Sequence, residues 1–435
     1  MPPYRKFAGK AIQTRAIASQ NRRRFAPIRP DRSLRTPGLA RSDKTLEFGY
    51  GNHRLSGNIQ MDATDSDGMN EDLKSTKCFA LLSRLVLGRD DTLIGPRDDR
   101  TENFEGMSNL VATCNEADWK TLHALANSHH VVLRGLPRLL SLPIEDEYER
   151  IGAAIENERA RIDRALSFLS PICEALEHAG PVVVIKSLDH WPDLGSDLDL
   201  YTQADARDVV AIMRTRLRAQ VVKQSWGDRL ANKWNFEIPG LQEPIEVHVQ
   251  RLGQTGEQRL IGDSLVARSL RLRFGSYTFR VPSPEDRMIL STLQRMFRHF
   301  YIRLCDIVDL SQSLERGGID FDYLSSLAKV SGLWQGLATY LRIVSDYVRQ
   351  YRGIGVPLPL FVLSAARFGN EKVRFGKKFL RIPIVPHSAR FYAAELRELF
   401  WNGEIRNTLR LGLLPLLATA AAVEYGITGS DKGIW

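Results

Sequence analysis

Apolar positions along this chain change period twice. From about 73 to 179 they recur every three or four residues, as at Ile162, Leu166, Leu169, Cys173 and Leu176, the stripe of a half-buried helix. Gly180 follows as a stop, and Pro171 predicts a kink or a split within this stretch. At 181 the period shortens. "PVVVIK" (181 to 186) is a β-branched run suited to a buried strand, and "SDLDLYT" alternates apolar with polar residues. A helical stripe at 204 to 219, "ADARDVVAIMRTRLRA", precedes three more strand-like runs, "QVVKQSW", "NKWNFEI" and "PIEVHVQ". From 283 the pattern is helical again. Ser283 suits an N-cap, Pro284 the first helical position, and Asp286 faces back toward the cap. Ile289, Leu293, Met296, Phe297, Phe300, Leu304, Ile307 and Val308 then mark one apolar face, and further helices are expected near 321 to 350, 388 to 402 and 405 to 423. The expected class is α+β. A small mixed sheet at 181–282 lies between a helical N-terminal region, 73–180, and a helical C-terminal domain, 283–435.

Composition changes this picture at the N-terminus. The chain has 435 residues, and its formal charge of +9 is not evenly spread. Residues 1 to 60 hold 13 Lys or Arg against 3 Asp or Glu, so the remainder is nearly neutral. Residues 1–72 lack apolar periodicity and read as a disordered basic tail, because they bury too little to offset the entropy of ordering. Such a tail is an arm for nucleic acid or a membrane surface, a targeting presequence, or an unstructured extension with Met61 or Met69 as the working start; the last is favoured. Nucleic acid enters as a partner only through this tail. Cys78, Cys114, Cys173 and Cys305 are far apart and form no CxxC, which suggests neither a disulfide framework nor a zinc site and fits a reducing cytoplasm. No apolar run reaches the roughly 18 to 20 residues of a membrane helix. The longest, "LGLLPLLATAAAV" (411 to 423), contains Pro415 and is expected to be a core helix.

The chemistry concentrates in "SDLDLYT". In a strand, residues i and i+2 point the same way, so Asp197 and Asp199 share a face while Leu198 and Leu200 take the other. Two adjacent carboxylates repel unless a cation lies between them, and hard cations such as Mg²⁺ prefer carboxylate oxygens. Alone, such a pair is also what a solvated edge strand carries. In "PIEVHVQ", Glu246 and His248 alternate with Ile245 and Val247, so Glu246 is in phase to supply a third acid. A pair of metal ions held this way clamps the attacking and leaving oxygens of a phosphoryl or nucleotidyl transfer.

With these residues in place, the chain resembles the nucleotidyltransferase superfamily. Lys186-Ser187 follows the first strand, nine residues (188 to 196) intervene, then Asp197-Leu198-Asp199-Leu200, then the distant Glu246. It is most similar to bacterial uncharacterised nucleotidyltransferases with a Lys-Gly pair and an acid-apolar-His motif, over roughly residues 80 to 315. The resemblance implies a polymerase-β-like palm. It implies that Asp197, Asp199 and Glu246 bind catalytic Mg²⁺, two ions, with Glu246 helping to deprotonate the acceptor. It implies that Lys186 and Ser187 meet the triphosphate of an NTP such as ATP, with Gly195 and Ser196 lending flexibility before the acids. Ser187 departs from the family's glycine, which bears on nucleotide affinity more than on metal binding. The implied reaction moves a nucleoside monophosphate to a hydroxyl on a small molecule, peptide or protein and releases pyrophosphate. The alternative is a non-catalytic nucleotide sensor or nucleic-acid-binding protein on the same fold.

Several residues remain at the margin of this reading. His248 orients a ligand or the glutamate, or is a satisfied half-buried histidine. His299, Arg303 and Asp306 are expected on one helix at spacings of four and three, as cleft-lining groups or as an Arg303–Asp306 ion pair. "ARFGNEKVRFGKKFLRI" (366 to 382) interleaves bases with phenylalanines and reads as a solvated face over core aromatics. Trp191 is a candidate for stacking on a base.

Overall fold

The computed structural model describes residues 64–88, 115–141 and 148–428. The expected tail lies outside the described residues as far as 63; from Thr64 the chain is helical, in Thr64–Leu87. The Glu116–Ser128 helix starts on a capping box, in which the Asn115 side chain accepts from the Asp118 N–H while Asp118 accepts from the Asn115 N–H. Tyr148–Glu177 is a single helix that continues through Pro171. Cys173 and Cys305 form no disulfide.

The central sheet has five strands. β1 is Val182–Ile185, β2 Leu198–Thr202, β3 Gln220–Val221, β4 Lys233–Glu237 and β5 Ile245–Val249. Their spatial order is β1-β2-β5-β4-β3, and only β2 and β5 run parallel. Side-chain alternation divides the sheet between two cores. Val182, Val184, Leu198, Leu200, Ile245 and Val247 pack with Leu166, Leu169 and Ile172 of the long helix and with Val209 and Met213 of the Ala206–Arg216 helix. On the other face, Val183, Ile185 and Tyr201 join the larger core of the N- and C-terminal helices. Tyr201 fits there because Gly262 has no side chain: a Cβ at that position would lie 2.1 Å from the tyrosine hydroxyl oxygen. A hairpin of β6 (Leu270–Phe274) and β7 (Tyr277–Val281) closes the first core with Phe274, Phe279 and Val281.

The Pro284–Thr292 helix begins where the sequence predicts, with the Ser283 hydroxyl accepting from the Asp286 N–H. The long helix expected beyond it is interrupted. A π-helical turn covers Leu293–His299, Phe300 takes a left-handed conformation (φ 55°), and Tyr301–Ile302 form strand β8 before a new helix, Leu304–Arg316. The apolar spacing runs through this break without a signal; the cause is a tertiary partner, since Ile302 pairs with Leu380. β8, β10 (Phe379–Arg381) and β9 (Arg374–Gly376) form a three-stranded sheet. The basic–aromatic segment is therefore a hairpin whose rings face inward, with Phe375 stacked on Phe79 and Phe379 on Tyr301.

One expectation about burial is overturned. The 411–423 run is not a core helix. It spans the end of Ile405–Gly412 and the start of Leu414–Thr428, and Leu413, Leu416 and Val423 are exposed. Apolar residues spread around Leu414–Thr428 instead of forming a stripe, and Pro415, lacking an N–H, suits the first turn of a new helix. Among the described residues, no helix is long and apolar enough to cross a membrane.

Candidate functional site

The site is built on the two parallel strands. Asp199 on β2 is the register partner of Glu246 on β5, and Tyr201 that of His248, so Asp199, Glu246 and His248 emerge together from one face. One ligand atom from each of these three lies within 4.8 Å of the others. His248 Nε2 is 2.7 Å from Glu246 Oε1 and 3.4 Å from Asp199 Oδ1, so Nε2 carries the ring proton toward the carboxylates. Asp197 just precedes β2 and stands outside this cluster. Its carboxyl is half-buried and accepts from the Ser196 hydroxyl. Burial, then the charges of Asp199 and Glu246, push its pKa up.

Lys186 occupies the middle of the site. Its Nζ lies 2.6 Å from Asp199 Oδ1 and 3.7 Å from Glu246 Oε1. The sequence placed this ammonium on a phosphate; the structure places it between the carboxylates, because β1 ends beside Asp199 (Ile185 pairs with Asp199) and the next side chain turns onto that face. The turn is strained. Lys186 holds φ 59° and ψ −57°, near the rare γ-turn region that a Cβ disfavours. Burial alone would lower the lysine pKa, but Asp199 and Glu246 outweigh it and the pKa stands raised. Burial would likewise raise Glu246, yet Lys186, the His248 hydrogen bond and Lys233 hold it well below the usual carboxylate range.

Ser187 opens a one-turn helix, Ser187–His190, but its hydroxyl is not free. It donates to the Asp197 carbonyl (2.9 Å) and accepts from the Asp199 N–H (2.7 Å), tying the turn to the acid-bearing strand. Gly195 is buried, and Arg161 from the long helix donates to its carbonyl and to that of Leu194, while also pairing with Glu243 at 2.7 Å. The loop before the acids is thus held rather than loose. His299 and Arg303 do not share one helix face. The break at Phe300 separates them: the His299 ring lies against Tyr301, and Arg303 meets His130 Nε2 at 2.7 Å. Asp306 pairs with the buried Arg295 instead of the Arg303 side chain, and accepts only the backbone N–H of Arg303.

Sequence reasoning missed Lys233, whose Nζ bridges Glu246 (3.1 Å) and Asp228 (2.8 Å). Its signal was present: in "KWNFE", Trp234 and Phe236 face the apolar core, which leaves Lys233 and Asn235 on the acid face. It also missed Asp193, which accepts from the Leu133 N–H and from Arg134 and so fastens the loop to the N-terminal region.

Two cavities meet at Lys186. One, of about 300 Å³, is lined by Lys186, Trp191, Arg273, Arg287 and Arg316 together with Asp189. The other, of about 270 Å³, shares Lys186 and Gln294 and has mostly apolar walls.

The donor chemistry fits a divalent cation. Two carboxylates and an imidazole converge, and a third carboxyl beside them is pushed toward its neutral form by burial and like charges, the condition that a bound cation relieves. Comparison with known proteins agrees in kind. No curated protein and no solved structure matches the chain. The family described as "Uncharacterised nucleotidyltransferase" matches residues 115–349, which contain the whole five-stranded sheet and part of each helical flank. The chain therefore belongs to the uncharacterised nucleotidyltransferase family.

Proposed function

We propose that the protein transfers a nucleoside monophosphate from an NTP to a hydroxyl acceptor and releases pyrophosphate. The observation that carries this reading is the parallel register that pairs Asp199 with Glu246, with Asp197 two residues upstream, just before the same strand. These three residues would hold Mg²⁺, which when bound supplies charge neutralisation for the triphosphate oxygens. Lys186 holds Glu246 ionised and borders the polar cavity, where Arg273, Arg287 and Arg316 suit a triphosphate and Trp191 a base. The acceptor oxygen bonds to the α-phosphorus, the bond to the α–β bridging oxygen breaks, pyrophosphate leaves with that electron pair, and the hydroxyl proton passes to water. Glu246 is a poor base for that proton, because Lys186, His248 and Lys233 already hold its charge.

The test uses the full chain, Mg²⁺, NTPs labelled at the α-phosphate and a cell extract as acceptor source. Label should move to an acceptor with release of pyrophosphate, and Asp197→Asn and Asp199→Asn should each abolish it without loss of fold. Transfer that persists in both variants would overturn the assignment.

A second reading has one observation in its favour. The Lys186 ammonium already sits 2.6 Å from Asp199, where a cation would otherwise be needed. A protein that binds NTP without turnover fits that arrangement. It predicts ATP binding that does not change as Mg²⁺ is titrated, whereas the transfer reading predicts tighter binding with Mg²⁺.

A further inference from the structure

The acceptor is left open by everything above, and the second cavity narrows it. Of about 270 Å³, it shares Lys186 with the nucleotide side and is walled by Leu252, Leu293, Phe297, Tyr392, Leu411 and Leu414. His248 lines it too. This ring is nearly fully buried, its Nε2 is committed to Glu246, and its Nδ1 has no hydrogen-bond partner. That Nδ1 is also closed off from the cavity, so the polar groups at this end of the wall are those of Lys186, Gln294 and Arg298. Glu257 and Glu395 also line the cavity. Burial, then the proximity of Glu257, hold the Glu395 carboxyl toward its neutral form, so the chamber does not demand a cationic guest.

We infer that this cavity binds the apolar body of the acceptor, an alcohol with an alkyl or aryl group, with its hydroxyl toward Lys186, the residue the cavity shares with the nucleotide side. The inference rests on the transfer reading for its chemistry, but not for its binding. A sugar or a charged peptide finds few partners along walls of leucine and phenylalanine, whereas burial of apolar area supplies the affinity and one polar group fixes orientation.

The experiment measures binding of 1-octanol to the full chain by calorimetry, in metal-free buffer without nucleotide, with glycerol as the polar control. Octanol should bind and glycerol should not. Ala389→Trp and Ala418→Trp place an indole at the cavity wall from exposed positions and should each weaken octanol binding at least tenfold, with Mg²⁺–ATP binding unchanged. Circular dichroism checks that both variants fold; if either does not, competition between octanol and an environment-sensitive dye on the native chain replaces it, and failure to compete counts against the cavity. Asp199→Asn should retain octanol binding and lose Mg²⁺–ATP binding. Absence of octanol binding, or equal binding by the filled variants, overturns the inference and leaves the transfer reading standing. Octanol binding without any Mg²⁺–ATP binding overturns the transfer reading instead.

Discussion

Lys186 concentrates the residue-scale argument. Its strained backbone costs on the order of 1–3 kcal/mol, and its ammonium is the nearest cation to Asp199. Removing one partner of a buried pair leaves the other charge uncompensated, at about 3–5 kcal/mol. Lys186→Met should therefore lower stability by about 3 kcal/mol in chelator, and millimolar Mg²⁺ should restore part of it by mass action. Urea unfolding with and without Mg²⁺ checks this, and a variant indifferent to Mg²⁺ would show that these carboxylates do not take the ion. The pH sign follows from the raised pKa. The lysine's contribution is complete below the ordinary value of about 10.4 and fades as pH rises through the raised one. Much of this site was legible from alternation alone, which put Asp199, Glu246 and His248 on one face. The fate of Lys186 and the Ser187 hydroxyl was not, because a turn that leaves a strand has no period.

At the scale of elements, the break at 293–303 sets the limit of sequence reading. No Gly or Pro occurs between Glu285 and Arg316, and the apolar spacing of three and four continues across the gap. What breaks the helix lies far away in the chain: Leu380 recruits Ile302 into a sheet. Arg295, fully buried, spans the gap to Asp306 with a 2.7 Å contact to one carboxylate oxygen and a 3.0 Å hydrogen bond to the other. Arg295→Met should cost about 3–5 kcal/mol, since it strands the Asp306 charge. Arg303→Met, which removes a half-exposed side chain from the same turn, should cost clearly less. Comparing the two by thermal unfolding separates a bridge from mere packing. The start of Pro284–Thr292 was legible because its cap, Ser283, is local; Ala206–Arg216 was legible as a helical stripe but not in its ends. The burial of Leu414–Thr428 was misjudged because run length says nothing about sidedness.

For the molecule as a whole, acid should act through histidines before it acts on the carboxylates. His129 is buried with complementary bonds: its Nδ1 accepts from the Leu304 N–H at 3.0 Å, so Nε2 donates to the Lys378 carbonyl at 2.8 Å. One neutral tautomer joins the N-terminal helices, the second C-terminal helix and the β9–β10 hairpin. Burial, first among the causes, lowers its pKa to about 4. A depressed histidine lends stability that is complete above the ordinary value of about 6.5 and is lost as pH falls toward 4, worth about 3 kcal/mol. His130 is lowered in the same sense. Stability measured between pH 7 and 4 should therefore fall progressively. His129→Gln, which keeps a donor and an acceptor, should flatten the slope; an unchanged slope would refute the assignment.

The parallel pairing of β2 with β5 joins two residues that are 47 positions apart in the chain. No contiguous peptide can imitate that meeting, so ion capture becomes a gauge of whether the two strands have zipped together. A protease nick in the connecting stretch should spare it while the fragments stay clasped, and prying the pair apart should erase it at a stroke.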